Sequence, residues 1–227
     1  MSEPSPKSIS ANIAKTVVRA LGILASILFL YGWFIGFGPP FDLSGHTTLG
    51  EVAAAEALKL AGPTGRIVLI TRDTRADENP AADAQVAGFK LAIKRSSARL
   101  GSIRLIKQNP LRLVTLPPAI FLEALRKERD ADVIVSFLGP PVLDDVRAAS
   151  LHDKRPKIVA LCSGRMPRQI DLRRIFQQEL LSVAILSREP SLPTPPSSSA
   201  RQRFDALFTV VTPTNVSDLP LVASSNP

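Results

Sequence analysis

The sequence predicts an α/β fold in which one N-terminal transmembrane helix precedes a single doubly wound, mostly parallel sheet. Nineteen residues from Ala20 to Gly38 carry no charge, and two prolines follow them directly. From Gly65 onward, short apolar runs alternate with amphipathic runs, which is the pattern of parallel strands joined by crossover helices. About 190 residues follow the uncharged segment, enough for one domain of ordinary size.

The uncharged segment, residues 20–38, has the length of a membrane-spanning helix, because at about 1.5 Å per residue it reaches roughly 28 Å. The nineteen residues before it carry three basic side chains and one acidic, whereas residues 39–58 carry three acidic side chains and no basic one. This asymmetry predicts a cytoplasmic N-terminus and an outer domain, which we expect in the periplasm of a bacterium with the helix in its inner membrane. A cleaved signal peptide is the open alternative.

Small residues are spaced four apart along the segment, which predicts a face that another helix can approach closely. Glycine is also common in spanning helices that do not associate, so this indication of a partner helix is weak. No charged residue lies within the span, so the helix provides no ion path. The predicted packing residues are Gly22, Ser26, Gly32 and Gly36.

Composition narrows the function classes. The chain has a formal net charge of +8, one cysteine and two histidines. One cysteine cannot form an internal disulfide, and these three residues cannot complete a usual zinc site, so we expect no metal and no other cofactor. The basic residues are spread along the chain without interleaved aromatics, which argues against nucleic-acid binding. The expected partners are the lipid bilayer, other integral membrane subunits and, in one alternative, a small anionic ligand.

The elements of the outer domain follow from β-branched apolar runs and from helical spacing. The predicted strands are Arg66–Thr71, Ile103–Lys107, Val133–Leu138, Lys157–Cys162, Val183–Leu186 and, at the sheet edge, a last one within Phe204–Thr212. The predicted helices are Thr48–Ala61 with Thr48 as a candidate N-cap, Ala82–Arg95, Pro118–Arg129, Asp144–Leu151 and Asp171–Leu181.

The chain is therefore divided into five regions. They are a cytoplasmic segment (1–19), the transmembrane helix (20–38), a linker with a connecting helix (39–64), the α/β domain (65–212) with a flexible Pro/Ser-rich excursion (189–203), and a disordered tail (213–227).

Four stretches carry a family resemblance: IVLITRD at 67–73, AGFKLA at 87–92, DVIVS at 132–136 and KIVA at 157–160. Their succession resembles the N-terminal lobe of type I periplasmic binding proteins and their repressor relatives, over residues 65–164. The resemblance implies a flavodoxin-like or binding-protein-like lobe. Those receptors close on ligand between two lobes, and too little chain follows Leu186 to build a second one.

Ligands of open parallel sheets bind at the carboxyl ends of the strands, which gives the candidate binding residues. Arg72 and Arg188 are suited to a carboxylate or phosphate, and Ser163 and Gly164 offer backbone donors. The alternative is that Asp73 pairs with a neighbouring arginine. The full predicted set is Thr71, Arg72, Asp73, Ser163, Gly164 and Arg188.

Cys162 and Arg168 have the spacing that tyrosine phosphatases and rhodanese-like proteins use, where a loop and an arginine hold an oxyanion beside a thiolate. The loop resembles theirs only in part, because Pro167 removes a donor and Gln169 stands where a hydroxyl residue is usual. A buried cysteine at a strand end is the expected alternative. We therefore expect no enzyme.

These features leave three functional hypotheses. The first is a non-catalytic accessory or assembly subunit of a larger membrane complex. The second is a membrane-tethered receptor or sensor for a small anionic ligand. The third is a phosphatase or rhodanese-like enzyme that depends on Cys162.

Overall fold

The computed structural model describes residues 6–35, 42–108, 116–149, 151, 155–164, 166–188 and 199–219. The chain divides into two compact units, Met1–Asp42 and Leu43–Pro227.

The described residues of the first unit form the helix α1 (Pro6–Ile35), which begins fourteen residues before the predicted transmembrane helix. Ten large apolar side chains between Val17 and Tyr31 are each more than half exposed. Within the described residues, no helix combines the length and the apolarity needed to cross a membrane. The predicted transmembrane helix is therefore not confirmed, and its last three residues, including Gly36, lie outside the described part of the chain.

The predicted packing face of α1 is partly described. Ser26 Oγ donates a hydrogen bond to the carbonyl of Gly22 at 2.9 Å, so this hydroxyl is satisfied within the helix. A Cβ placed on Gly22 would meet no atom within 4 Å. Gly32 also lies in α1. The partner helix stays a prediction.

The second unit is built on one six-stranded sheet with the order β2-β1-β3-β4-β5-β6. Neighbouring strands from β2 to β5 are parallel, and β6 is antiparallel to β5. The strands are β1 (Arg66–Arg72), β2 (Arg99–Ile106), β3 (Val133–Ser136), β4 (Lys157–Cys162), β5 (Val183–Ser187) and β6 (Phe208–Val211). The predicted α/β class and mostly parallel sheet are confirmed.

Helices cover both faces of this sheet, and several begin at a capping side chain. Asn79 Oδ1 accepts the amide of Ala82 before α3, and Asp171 Oδ1 accepts the amide of Arg174 before α6. The helices are α2 (Ser44–Ala61), α3 (Pro80–Lys94), α4 (Pro118–Lys127), α5 (Asp145–Ala149), α6 (Leu172–Gln177) and α7 (Ala200–Leu207), with 3₁₀ turns at Met166–Arg168 and Val216–Asp218.

The ends of most predicted elements differ from the structure by a few residues, and two of these differences have a clear local cause. Thr48 is not the N-cap of α2, because the helix begins at Ser44 and Thr48 Oγ1 donates to the carbonyl of Ser44 at 2.9 Å. Residues 200–203, predicted as the end of the flexible excursion, and residues 204–207, predicted as the start of the last strand, together form α7. Ser199 and Gln202 form a capping box there, in which each side chain bonds the other's backbone amide, and this favours a helical turn.

Alternate residues of each strand enter two separate cores. Leu69, Val135 and Leu161 point toward α2, α3 and α7. Ile70 and Ile134 point toward α4, α5 and α6. This alternation is the physical basis of the doubly wound arrangement.

Helices α2 and α3 touch through glycine. A Cβ on Gly50 would lie 1.9 Å from the carbonyl oxygen of Gln85, and one on Gly88 would lie 2.1 Å from that of Thr47. The backbones therefore approach more closely than any larger residue permits.

Candidate functional site

The carboxyl ends of the parallel strands β1, β3, β4 and β5 meet at one edge of the sheet. Sheet order divides the predicted ligand residues into two groups. Thr71, Arg72 and Asp73 leave β1, whereas Ser163 and Arg188 leave the neighbouring strands β4 and β5. Strand β3 separates the two groups.

The charged side chains that follow β1 are paired with residues of the loop after that strand. Arg75 Nε lies 2.8 Å from Asp73 Oδ1, and Arg75 Nη2 lies 2.7 Å from Asp73 Oδ2. These hydrogen bonds to Arg75 hold the pKa of Asp73 down at about 2. Arg72 pairs with Asp77, and Thr71 is buried. The alternative in which Asp73 pairs with a neighbouring arginine is the arrangement found.

The turn after β4 is open to solvent. Ser163 and Gly164 are exposed, and Gly164 has a φ of 62°, a conformation that favours glycine. The amide of Met166 donates to the carbonyl of Ser163 at 3.3 Å, which closes the turn.

A cavity of about 550 Å³ lies beside the end of β5, on the face that α6 covers. Four arginines line it: Arg168, Arg173, Arg174 and Arg188. One carboxylate, Asp171, lies among them. This volume falls in the range of sites that hold small organic ligands.

Two of these arginines are engaged in structural contacts. Arg174 Nη2 lies 2.7 Å from Asp145 Oδ2, and this contact raises the pKa of Arg174 and lowers that of Asp145. Arg173 Nη2 donates to the carbonyls of Ser217 and Leu219. Its Nε is buried without a hydrogen-bond partner within the described residues.

Arg188 differs from these two. Its backbone amide donates to the carbonyl of Leu207 at 2.7 Å, which fixes the residue at the end of β5. Its side chain is exposed and has no ion-pair or hydrogen-bond partner in the part of the chain that the structure describes. The cavity therefore has a positioned cation available for a ligand.

Apolar side chains form the rest of the cavity wall. Leu172 and Leu186, which are almost fully buried, line it together with Ile170 and Leu219. Thr209 of β6 also lines it. Charged and apolar groups therefore share one concave surface.

Sequence reasoning identified Arg188 but missed Arg173 and Arg174, which look like the solvated face of a helix. The available signal was topological. The crossover helix α6 starts at the carboxyl edge after β4, so its first turn lies beside the end of β5.

A second cavity of about 800 Å³ lies at the opposite, amino edge of β4 and β5. Its charges are largely engaged: Lys59 pairs with Glu56 at 2.6 Å, and Arg155 donates to the carbonyls of Gln178 and Glu179. This amino-edge cavity is the larger of the two, but the carboxyl-edge cavity offers the better ligand site because Arg188 is available there.

The Cys162 thiol lies in the core rather than in a loop. Its residue pairs in register with Leu186, and its side chain belongs to the same core as Ile134. Burial raises the pKa of Cys162 to about 12, so the thiol is protonated at neutral pH. Arg168, by contrast, lines the cavity. The two residues do not form an oxyanion loop around a thiolate.

Metal chemistry has no evident centre in the described residues, since no group of three or more His, Cys, Asp or Glu side chains there could hold an ion.

Comparisons with known proteins bear on the fold. No protein-family model matches the sequence, and no curated protein matches it. Among solved structures, the arabinose-binding protein AraP from Geobacillus stearothermophilus matches with a TM-score of 0.52 at 16% identity, over 78% of this chain and 63% of AraP. A Burkholderia graminis solute-binding protein in complex with D-arabinose matches with 0.52 at 14% identity, over 77% and 62% of the two chains.

A sugar-binding protein from Bacillus halodurans matches with a TM-score of 0.51 at 14% identity, over 76% of this chain and 64% of its own. The chain thus spans less than two thirds of the length of each of these proteins. At such low identity the matches establish the fold alone: the second unit is a binding-protein-like α/β domain with a single, mostly parallel sheet.

Proposed function

We propose that the second unit is a receptor domain that binds a small anionic solute at the carboxyl edge of its sheet, beside Arg188. The observation that carries this proposal is the cavity of about 550 Å³ next to an exposed arginine without a partner in the described residues. The cavity and the cation lie at the carboxyl end of β5, on the edge where open parallel sheets bind ligands but away from the switch in strand order between β1 and β3.

The fold supports ligand binding over the other hypotheses. The similar structures include proteins that bind arabinose or other sugars, and a small solute is the class we propose here. Nothing in these comparisons supports an accessory subunit. The burial of the Cys162 thiol argues against the hypothesis of an enzyme that uses it as a nucleophile, because the thiol is protonated at neutral pH.

The charge of the site favours an anion over a neutral sugar. Arginine presents a planar fork of donors that matches carboxylate and phosphate geometry. Arg168 and Arg188 both line the cavity, and Asp171 is its one acidic residue among those described. A neutral polyol would leave the exposed Arg188 guanidinium without a counter-charge.

Thermal unfolding of the full-length chain in mild detergent tests the proposal. We expect carboxylates and phosphates to raise the melting temperature in a concentration-dependent way, and D-arabinose to leave it unchanged. Arg188→Ala should remove the effect. Arg99→Ala, an exposed arginine on the opposite edge strand β2, is the matched control and should retain it. A flat response to every anion would reject the proposal.

We also propose that α1 tethers this domain to a membrane. Two observations support the tether: the uncharged sequence from Ala20 to Gly38 and the exposed apolar side chains between Val17 and Tyr31. The charge asymmetry around the segment favours a cytoplasmic N-terminus and a periplasmic domain on the bacterial inner membrane.

Alkaline carbonate extraction of native membranes tests the tether. The chain should stay in the pellet, and protease added to spheroplasts should digest the domain from outside. Release of the full-length chain by carbonate would reject membrane insertion. Protection of the domain in intact spheroplasts, with digestion after lysis, would reject the orientation.

A further inference from the structure

The carboxyl-edge cavity has a cationic group and apolar side chains on one surface. Together they restrict the class of ligand more than the cation alone does. Arg188 is exposed and lines the cavity. The side chains of Leu172, Leu186 and Leu219 are among the apolar groups that line it. A ligand that fills this volume must pair with the Arg188 guanidinium and also contact the apolar side chains of the wall.

We infer that the ligand is an amphipathic anion, with a carboxylate or phosphate head beside Arg188 and an apolar body over Leu172, Leu186 and Leu219. This inference rests on the proposed function. A compact anion such as acetate or inorganic phosphate would pair with the arginine but leave most of about 550 Å³ filled with water against leucine. Burial of an apolar body removes that contact and adds affinity with each methylene group.

Neighbouring groups restrict where the head can lie. Arg174 is paired with Asp145 at 2.7 Å, and Arg173 donates to two backbone carbonyls, so neither offers its full fork to a ligand. Asp171 caps the N-terminus of α6, and its carboxylate repels an anion there. The head therefore belongs beside Arg188 at the end of β5, and the body lies over Leu172, Leu186 and Leu219.

The test is a series of dissociation constants for the full-length chain, measured by equilibrium dialysis with acetate, butanoate and hexanoate. The dissociation constant should fall by up to roughly fourfold per methylene group, the factor that corresponds to about 0.8 kcal/mol per buried CH₂. Inorganic phosphate and butyl phosphate form a second arm that distinguishes the two heads. Hexanol tests whether the head is required and should bind far more weakly than hexanoate.

Two variants test the contact with the anionic head and the contact with the apolar body separately. Arg188→Ala should weaken all members of the series by a similar factor. Leu219→Ala should leave acetate unchanged and reduce the gain from butanoate to hexanoate; an unchanged gain would overturn the placement of the body.

The outcomes distinguish this inference from the proposed function. Equal dissociation constants for acetate and hexanoate would overturn the amphipathic ligand and leave the anion receptor standing. Hexanol binding as tightly as hexanoate would overturn the role of the head. Failure of every anion to bind would reject both.

Discussion

The guanidinium of Arg75 forms a bidentate ion pair with the carboxylate of Asp73, with N···O distances of 2.8 and 2.7 Å. The amide of Asp73 donates to the carbonyl of Ile106 at 3.0 Å, and this backbone hydrogen bond joins the loop after β1 to strand β2. A residue predicted to bind ligand thus has a structural role in this loop.

This pair predicts an acid-sensitive contribution to stability. The pKa of Asp73 is about 2 in the folded chain, below the ordinary value near 4. Its contribution is therefore complete above about pH 4 and is lost as the pH falls from there toward 2. Asp73→Asn should lower the free energy of unfolding measured in urea at about pH 6, and the difference from wild type should shrink by about pH 3. Asp77→Asn, at the exposed partner of Arg72, is the control and should change little. A difference that persists undiminished at low pH would contradict this account.

We expect removal of the Glu128 carboxylate to lower the free energy of unfolding more than removal of an exposed charge does. Its buried carboxylate accepts from Ser102 Oγ at 2.6 Å, from Arg66 Nη2 at 2.9 Å and from Arg104 Nε at 3.3 Å. Glu128→Ala leaves two half-buried arginines without their common partner. We expect a loss of about 2–4 kcal/mol in the free energy of unfolding.

The control for Glu128 is Asp130, which is exposed and pairs with the same Arg66. Asp130→Asn should cost at most about 1 kcal/mol. Equal losses for the two variants in urea unfolding followed by circular dichroism would show that the burial of Glu128 contributes nothing.

The crossing of α2 and α3 predicts a steric effect. Gly50→Ala would place a methyl group 1.9 Å from a backbone oxygen, and the two helices would have to separate. We expect a loss of about 1–3 kcal/mol or more. Gly45→Ala lies on the same helix, where the nearest atom is 3.8 Å away, and should shift stability by no more than about 1 kcal/mol. Similar melting temperatures for the two variants would argue against the close contact.

The buried thiol predicts slow labelling. Because the pKa of Cys162 is raised to about 12, a thiol reagent should react with the native chain at neutral pH far more slowly than with the chain in urea. The rate ratio of the two reactions is the measurement. Rapid stoichiometric labelling of the native chain would restore the case for a reactive thiolate.

Local signals predicted most of the fold. Strands such as β1 and β4 are continuous β-branched or apolar runs that are buried on both faces, and such runs have few alternatives. The helix α7 was missed because its mean composition is polar and its strongest signal, the capping box at Ser199, stands in a serine run. Propensity cannot rank one serine over its neighbours.

The site was predicted less well than the fold. Strand-end reasoning located Arg72 and Arg188 equally, because both follow parallel strands. Only the structure shows that Arg72 is paired with Asp77 whereas Arg188 faces a cavity. Pairing between side chains depends on loop geometry, and the sequence does not encode that geometry in any local pattern.

The most direct test of the receptor account is the dissociation constant of the best-binding anion for three chains: wild type, Arg188→Ala and Arg99→Ala. Loss of a charge-assisted contact should weaken binding to Arg188→Ala by about tenfold or more, since such contacts contribute about 1.5–3 kcal/mol. Arg99→Ala should bind like wild type. Equal affinities for all three chains would place the anion elsewhere and contradict the assignment of the site to Arg188.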